Sequence, residues 1–125
     1  MIKGITLLRQ RADISREQFI DHYDNRHVPL IRQLLPMVVR HVRNYLDLNE
    51  VKQLDSMREG KDAPRPYFDT VTEIWFKDQP AVQAFLEAIA DPEIIRPIVE
   101  DEKKFLDRTV LQFFWVDERI LEAAA

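Results

Sequence analysis

The sequence predicts an α+β domain, a ferredoxin-like β-α-β-β-α-β sandwich with its helices on one face of the sheet. Three observations carry this expectation. Four short apolar runs rich in β-branched or aromatic residues alternate with helical periodicity in the order strand, helix, strand, excursion, strand, helix pair, strand. The 125 residues are the length of one domain. A composition of 46% hydrophobic and 32% charged residues suits a single buried core and argues against disorder. Residues 1–125 are therefore read as one domain, with a polar excursion at about 49–66 and a short tail over 118–125.

Each element has its own warrant. Ile2–Leu8 is short, apolar and β-branched, as a buried strand should be. Ser15 and Gln18 have capping-box spacing, and Phe19, Tyr23, Leu30 and Leu34 then recur at helical intervals. Pro29 biases Val28 away from helical geometry, so a break is expected at Arg26–Val28, leaving His27 at a helix end. Val38–Leu48 reads as a second strand with Val39, His41, Arg43 and Tyr45 on one face. Residues 49–66 form the most polar stretch, a candidate flap over a site. Phe68–Phe76 reads as a third strand, with Asp69, Val71, Glu73 and Trp75 opposite Thr70, Thr72 and Ile74.

Asp78-Gln-Pro80 opens a helix with the stripe Val82, Phe85, Leu86 and Ile89, and Asp91-Pro92 opens another. Thr109–Val116 closes the pattern as an apolar fourth strand, and a frayed helical turn is expected in the tail. Helices on one side leave the second sheet face to be covered. Trp75, Tyr45 and Phe113 or Phe114 are assigned to it, too much aromatic surface for water, so two sheets are expected to pair face to face in a homodimer.

Composition narrows the chemistry. With only Gly4 and Gly60, no phosphate-cradling glycine loop can be written, and no cofactor motif is present. Absence of cysteine removes disulfides, thiolate nucleophiles, iron–sulfur ligation and the commonest zinc sites. His22 and His27 lack the i, i+4 spacing of a helical metal pair, so no metal site is expected. A net charge of −4 speaks against nucleic acid as a partner, and no 18-residue apolar run exists to span a membrane. The chain opens directly on a strand without a signal-peptide pattern, which makes a cytoplasmic address the expectation.

What is left is a small aromatic-lined cavity with histidine, tyrosine and carboxylate groups, suited to acid/base chemistry on a small molecule. His27 projects from a helix end toward the sheet or serves as a surface cap, while His41 is either a half-buried strand histidine or a second acid/base group. Asp69 and Glu73 share a strand face, where they orient a histidine or are neutralised by Arg40 and Arg43 across the sheet. Burial beside Trp75 is expected to raise the Glu73 pKa. Glu100-Asp101-Glu102 with Lys103-Lys104 reads as a solvated helix face.

These residues also carry a resemblance. Phe19-Ile-Asp-His22-Tyr23-Asp-Asn-Arg-His27-Val-Pro29-Leu30 resembles the F-x-x-Y-W-x-x-x-H-x-P-L signature of the EthD family. Arg40–Tyr45, Asp69–Phe76, Ala90-Asp91-Pro92, Asp101-Glu102 with Phe105-Leu-Asp107, and Phe113-Phe114 follow in the family's order. The resemblance implies a dimeric α+β barrel and cofactor-independent chemistry on small, often cyclic or phenolic metabolites. It points to His27 first as a functional residue, then Glu73 and Trp75, then Asp69. His22-Tyr23 departs from the family's Tyr-Trp, His41 stands where Tyr is usual and Tyr45 where His is usual.

The resulting expectation is a cofactor-free lyase or isomerase acting on an enolisable aromatic, polyketide-like or lactone metabolite. His27, His41 and Glu73 would be catalytic, and Tyr45, Asp69, Trp75, His22 and Arg43 would bind the substrate. A cofactorless oxygenase of a phenol, a non-catalytic small-molecule carrier and a haem-handling protein are the rivals.

Overall fold

The computed structural model describes residues 1–47, 49, 52–59 and 67–124. Strands β1 (Ile2–Leu8), β2 (Arg40–Tyr45), β3 (Thr70–Phe76) and β4 (Gln112–Trp115) form one antiparallel sheet in the order β2-β3-β1-β4. The centre of the sheet is the β1–β3 pair, in register from Ile2 opposite Phe76 to Leu8 opposite Thr70. This is the expected β-α-β-β-α-β architecture. The strands are shorter than their apolar runs: β2 begins at Arg40, β3 at Thr70, and Arg108–Val110 forms a 3₁₀ turn before β4.

Helices α1 (Arg16–His22), α2 (Val28–Leu34), α3 (Gln79–Ala90) and α4 (Pro92–Glu102) cover one face. Their starts are encoded locally. The Ser15 hydroxyl accepts from the Gln18 backbone N–H while the Gln18 side-chain oxygen accepts from the Ser15 N–H, the expected reciprocal cap. Asp78 and Asp91 cap α3 and α4, each followed within two residues by a proline whose missing N–H costs nothing there.

The expected break at Arg26–Val28 does not occur. The chain stays helical, with Tyr23–His27 wound as a π-helical turn between α1 and α2 and Val28 in the α region at φ −59°, ψ −45°. Pro29 lacks an N–H and its ring would crowd the Asn25 carbonyl in a tight turn. The wider turn absorbs both problems.

Strand β3 alternates as expected. Thr70, Thr72, Ile74 and Phe76 are buried under the helices, and Val71, Glu73 and Trp75 are half-buried on the opposite face. One aromatic assignment is corrected and one open choice is decided. Tyr45 packs against Phe19 and Phe113 against Phe85, both in the helix layer, so the open face keeps Trp75 and the exposed Phe114. Relative alternation within a strand is legible from its sequence, but which set meets the helices depends on the pairing of neighbouring strands. Leu86 is likewise exposed, the buried side of α3 being Val82, Phe85 and Ala88.

The tail runs as coil from Asp117 to Ala124 rather than as a helical turn, and Glu118 pairs with Lys3. Of the proposed flap, Lys52–Met57 forms a 3₁₀ turn, while residues 48, 50, 51 and 60–66 lie outside the described residues.

Candidate active site

The space between sheet and helices is not filled evenly. One apolar cluster gathers Leu35, Ile74, Phe76, Val82, Phe85, Ala88 and Ile98, and a second gathers Leu8, Phe19, Tyr23, Phe105 and Leu106. Between them lies a cavity of about 350 Å³ walled by members of both. Most of its surface is aliphatic or aromatic. The polar exceptions are Thr6 and two linked groups, Tyr23 with His41 and Thr72, and His27 with Glu102 and Arg108. An apolar cavity with a few convergent polar groups is the common form of a small-molecule site.

The π-helical turn builds the first part of this set. In an α-helix, residues five apart point about 140° away from each other. The extra residue in the turn, marked by the bond from Val28 N–H to the Tyr23 carbonyl, brings His22 and His27 to one side. Both then meet Asp101 of α4: His22 Nε2 lies 3.0 Å from Oδ1 and His27 Nδ1 lies 2.8 Å from Oδ2. Phe105 packs beneath both rings, with centroids 4.7 Å from His22 and 4.9 Å from His27.

Burial alone would raise the Asp101 carboxyl, but the bonds from His27 and His22 outweigh it and hold the group below the ordinary carboxylate range. The ionised carboxylate can only accept, so His22 Nε2 and His27 Nδ1 are both the N–H donors. His27 itself is 4% exposed, and burial pushes its pKa below the usual imidazole value in spite of Asp101. At neutral pH it is therefore a neutral imidazole with Nε2 unprotonated. That nitrogen stands 3.9 Å from Glu102, whose other oxygen accepts from Arg108 at 3.0 Å.

Across the cavity, the Tyr23 hydroxyl lies 2.8 Å from Thr72 Oγ1 and 3.2 Å from His41 Nε2. Burial raises the Tyr23 phenol far above its ordinary pKa, so it stays protonated. Burial and the positive charge of Arg43 push His41 down to about 4, leaving it neutral. His41 Nδ1 is buried with no protein partner among the described residues. Tyr23 is thus the hinge of the site, a ring in the core whose hydroxyl joins strands β2 and β3 to the π-helical turn.

The sequence model of the EthD domain matches residues 11–109, most of the chain. The chain belongs to the EthD family. Among solved structures it is similar to an ethyl tert-butyl ether D family protein from Bacillus halodurans C-125, at 21% identity and a TM-score of 0.59 over 95% of this chain and 100% of the other. It is also similar to HapK from Hahella chejuensis, at 17% identity and a TM-score of 0.60 over 100% and 99% of the two chains. A dimeric protein of unknown function with a ferredoxin-like fold from Bacteroides fragilis aligns at 11% identity with a TM-score of 0.50, over 95% of both chains. At these identities the likeness is one of fold. No curated protein matches.

In this EthD domain the expected site residues separate into groups. His27 and His41 line the cavity. His22 lies behind His27 on Asp101. Arg43 and Tyr45 do not reach the cavity: both bond Asp24, at 2.8 and 2.6 Å, on the outer side of the π-helical turn. Asp69 is buried at the start of β3, where its carboxylate accepts from the Gln10 backbone at 2.8 Å.

Glu73 and Trp75 occupy the opposite sheet face. Glu73 accepts from Asn44 at 2.9 Å and Lys3 at 3.3 Å, partners that lower its pKa, so the expected rise beside Trp75 is corrected. The expected neutralisation by Arg40 and Arg43 is not made. Lys3 takes that place, while Arg40 and Lys3 both lie over the Trp75 ring. Thus the carboxylate that orients a histidine comes from α4, within the run expected to be a solvated face.

Tyr23, Thr72, Asp101, Glu102 and Arg108 are the members of the site that sequence reasoning missed. Asp101 and Glu102 were signalled only by their place in the EthD motif. Among the described residues no cluster of three or more histidines and carboxylates is arranged to hold a metal, and no helix is long and apolar enough to cross a membrane.

Proposed function

We propose that this EthD domain is a homodimeric, cofactor-independent lyase or isomerase acting on a small, neutral, enolisable aromatic, polyketide-like or lactone metabolite. The observation that carries the reading is His27. It is buried at the wall of an apolar cavity, held through Nδ1 by an ionised carboxylate, and left with Nε2 as the ring nitrogen for a ligand. That is the arrangement of an oriented general base. Nε2 takes a proton from the substrate, and Asp101 stabilises the imidazolium that forms. The same proton then returns to another carbon in an isomerisation, to the leaving oxygen in a dehydration, or to the carbanion left by loss of carbon dioxide.

Tyr23 and His41 supply neutral polar groups for the oxygen on which charge develops. The ion pair at the cavity, Glu102 with Arg108, is internally compensated, which favours a neutral ligand over a free anion. The open sheet face, with Trp75 half-buried and Phe114 51% exposed, supports pairing with a second copy. The dimeric state described for the Bacteroides fragilis protein points the same way.

The test is a thermal-shift screen of small phenols, lactones and polyketide-like compounds on wild type and His27→Ala, followed by turnover of the hits. General-base loss typically lowers rate by roughly 10²–10⁴-fold. Turnover within a few-fold of wild type in His27→Ala removes His27 as the base. Oxygen consumption during turnover supports the oxygenase reading instead. Tight binding with no turnover in wild type supports a carrier.

A further inference from the structure

The family signature carries Tyr where this chain has His22, and a base needs only one carboxylate contact, so the second imidazole on Asp101 calls for its own explanation. Asp101 has two oxygens and three suitors: His27 on Oδ2, His22 on Oδ1, and the Lys104 ammonium 4.0 Å from Oδ1. Lys104 is solvent-exposed in the turn that follows the carboxylate's helix, whereas His22 is clamped, stacked on Phe105 with the two planes 29° apart. A carboxylate held at one oxygen only is free to turn about its last bond toward Lys104.

We infer that His22 is a positioning residue, which by fixing Oδ1 of Asp101 keeps Oδ2 on His27 Nδ1–H and so locks the His27 tautomer that presents a bare Nε2 to the cavity. The π-helical turn is what makes this possible, because only its extra residue brings positions 22 and 27 to one carboxylate. The inference rests on the reading of His27 as the base. The other charged or titratable groups facing the trio are Glu102, at 3.9 Å from His27 Nε2, His41 across the cavity and the Tyr23 phenol beside it. None of these reaches Asp101 Oδ1 to substitute for His22.

The chain has three histidines, so each ring can be followed by long-range proton–nitrogen NMR at neutral pH without any substrate. In wild type, His22 is expected to carry a proton on Nε2, and His27 to carry one on Nδ1 and none on Nε2. His22→Phe keeps a ring on Phe105 and removes the donor, and in it His27 is expected to populate both tautomers. His22→Gln places an amide N–H near the same oxygen and should restore the single tautomer. A ligand-bound rate, once a substrate is in hand, should fall several-fold in His22→Phe through kcat with KM little changed.

A single Nδ1–H tautomer of His27 persisting in folded His22→Phe overturns the inference and leaves the base reading intact. A wild-type His27 protonated on Nε2 overturns both. Should His22→Phe not fold, the wild-type spectrum still decides, since a His22 found bare at Nε2 cannot hold Asp101.

Discussion

The Tyr23 hydroxyl and the Thr72 hydroxyl meet at 2.8 Å, joining the π-helical turn to the central strand β3 from positions 49 residues apart. Both residues are almost wholly buried, at 2% exposure each. Removing one member of a buried hydrogen-bonded pair costs roughly 1–3 kcal/mol. Tyr23→Phe is expected to lower the unfolding free energy by that amount, read as a lower urea midpoint with an unchanged denaturant slope. Thr72→Val in the same background should add less than it does alone, because the pair is one unit.

Acidification should destabilise the fold before the carboxylates titrate. The folded pKa of His41 is depressed from 6.5 to about 4, so the unfolded chain binds the proton first as pH falls. The penalty is absent above about pH 6.5, grows as pH drops through this window, and levels off below about 4, at roughly 3 kcal/mol from this group. His27, also depressed, adds in the same direction. Denaturant titrations at pH 7, 5.5 and 4.5 should show this slope, and His41→Gln should flatten it.

With His27 as the proposed base, the acid limb of a pH–rate profile should lie below the ordinary imidazole range, because burial holds the pKa of His27 low. Asp101→Asn removes the charge that favours the imidazolium while keeping the side chain's shape. The limb is then expected to move further down in pH. The rate at neutral pH should fall roughly 10- to 100-fold, the worth of a hydrogen bond to a charged group. An unchanged profile in Asp101→Asn would separate Asp101 from the chemistry.

Glu73→Gln should leave ligand binding and turnover within a few-fold of wild type, because its carboxylate faces away from the cavity onto Lys3 and Asn44. Its stability cost should be small, within about 1 kcal/mol, as for other partly solvated ion pairs. A large loss of turnover would place the chemistry on the other side of the sheet.

What the sequence made legible was local or periodic. The Ser15–Gln18 cap is readable because both partners lie within four residues, and the alternation of β3 because side chains in a strand repeat every two. The π-helical turn was hidden, since Pro29 signals a stop and only packing shows that the helix widens past it instead. Asp101 was hidden for a related reason. It sits in the run Glu100-Asp101-Glu102-Lys103-Lys104, whose pattern is that of a wet face, and only the docking of α4 on the π-helical turn shows which carboxylate turns inward. His27 was found by motif, but its orienting carboxylate was sought on β3, where Glu73 is committed to the opposite face.

Strand β3 is a party wall. Its even-numbered side chains, Thr72 and Ile74, belong to the ligand's room, and its odd-numbered ones, Val71, Glu73 and Trp75, to whatever lies against the outer surface. Substitutions can therefore retune what the outer surface touches without passing through the chamber, and the reverse. A domain divided this way can change its cavity and its outer surface on separate evolutionary clocks.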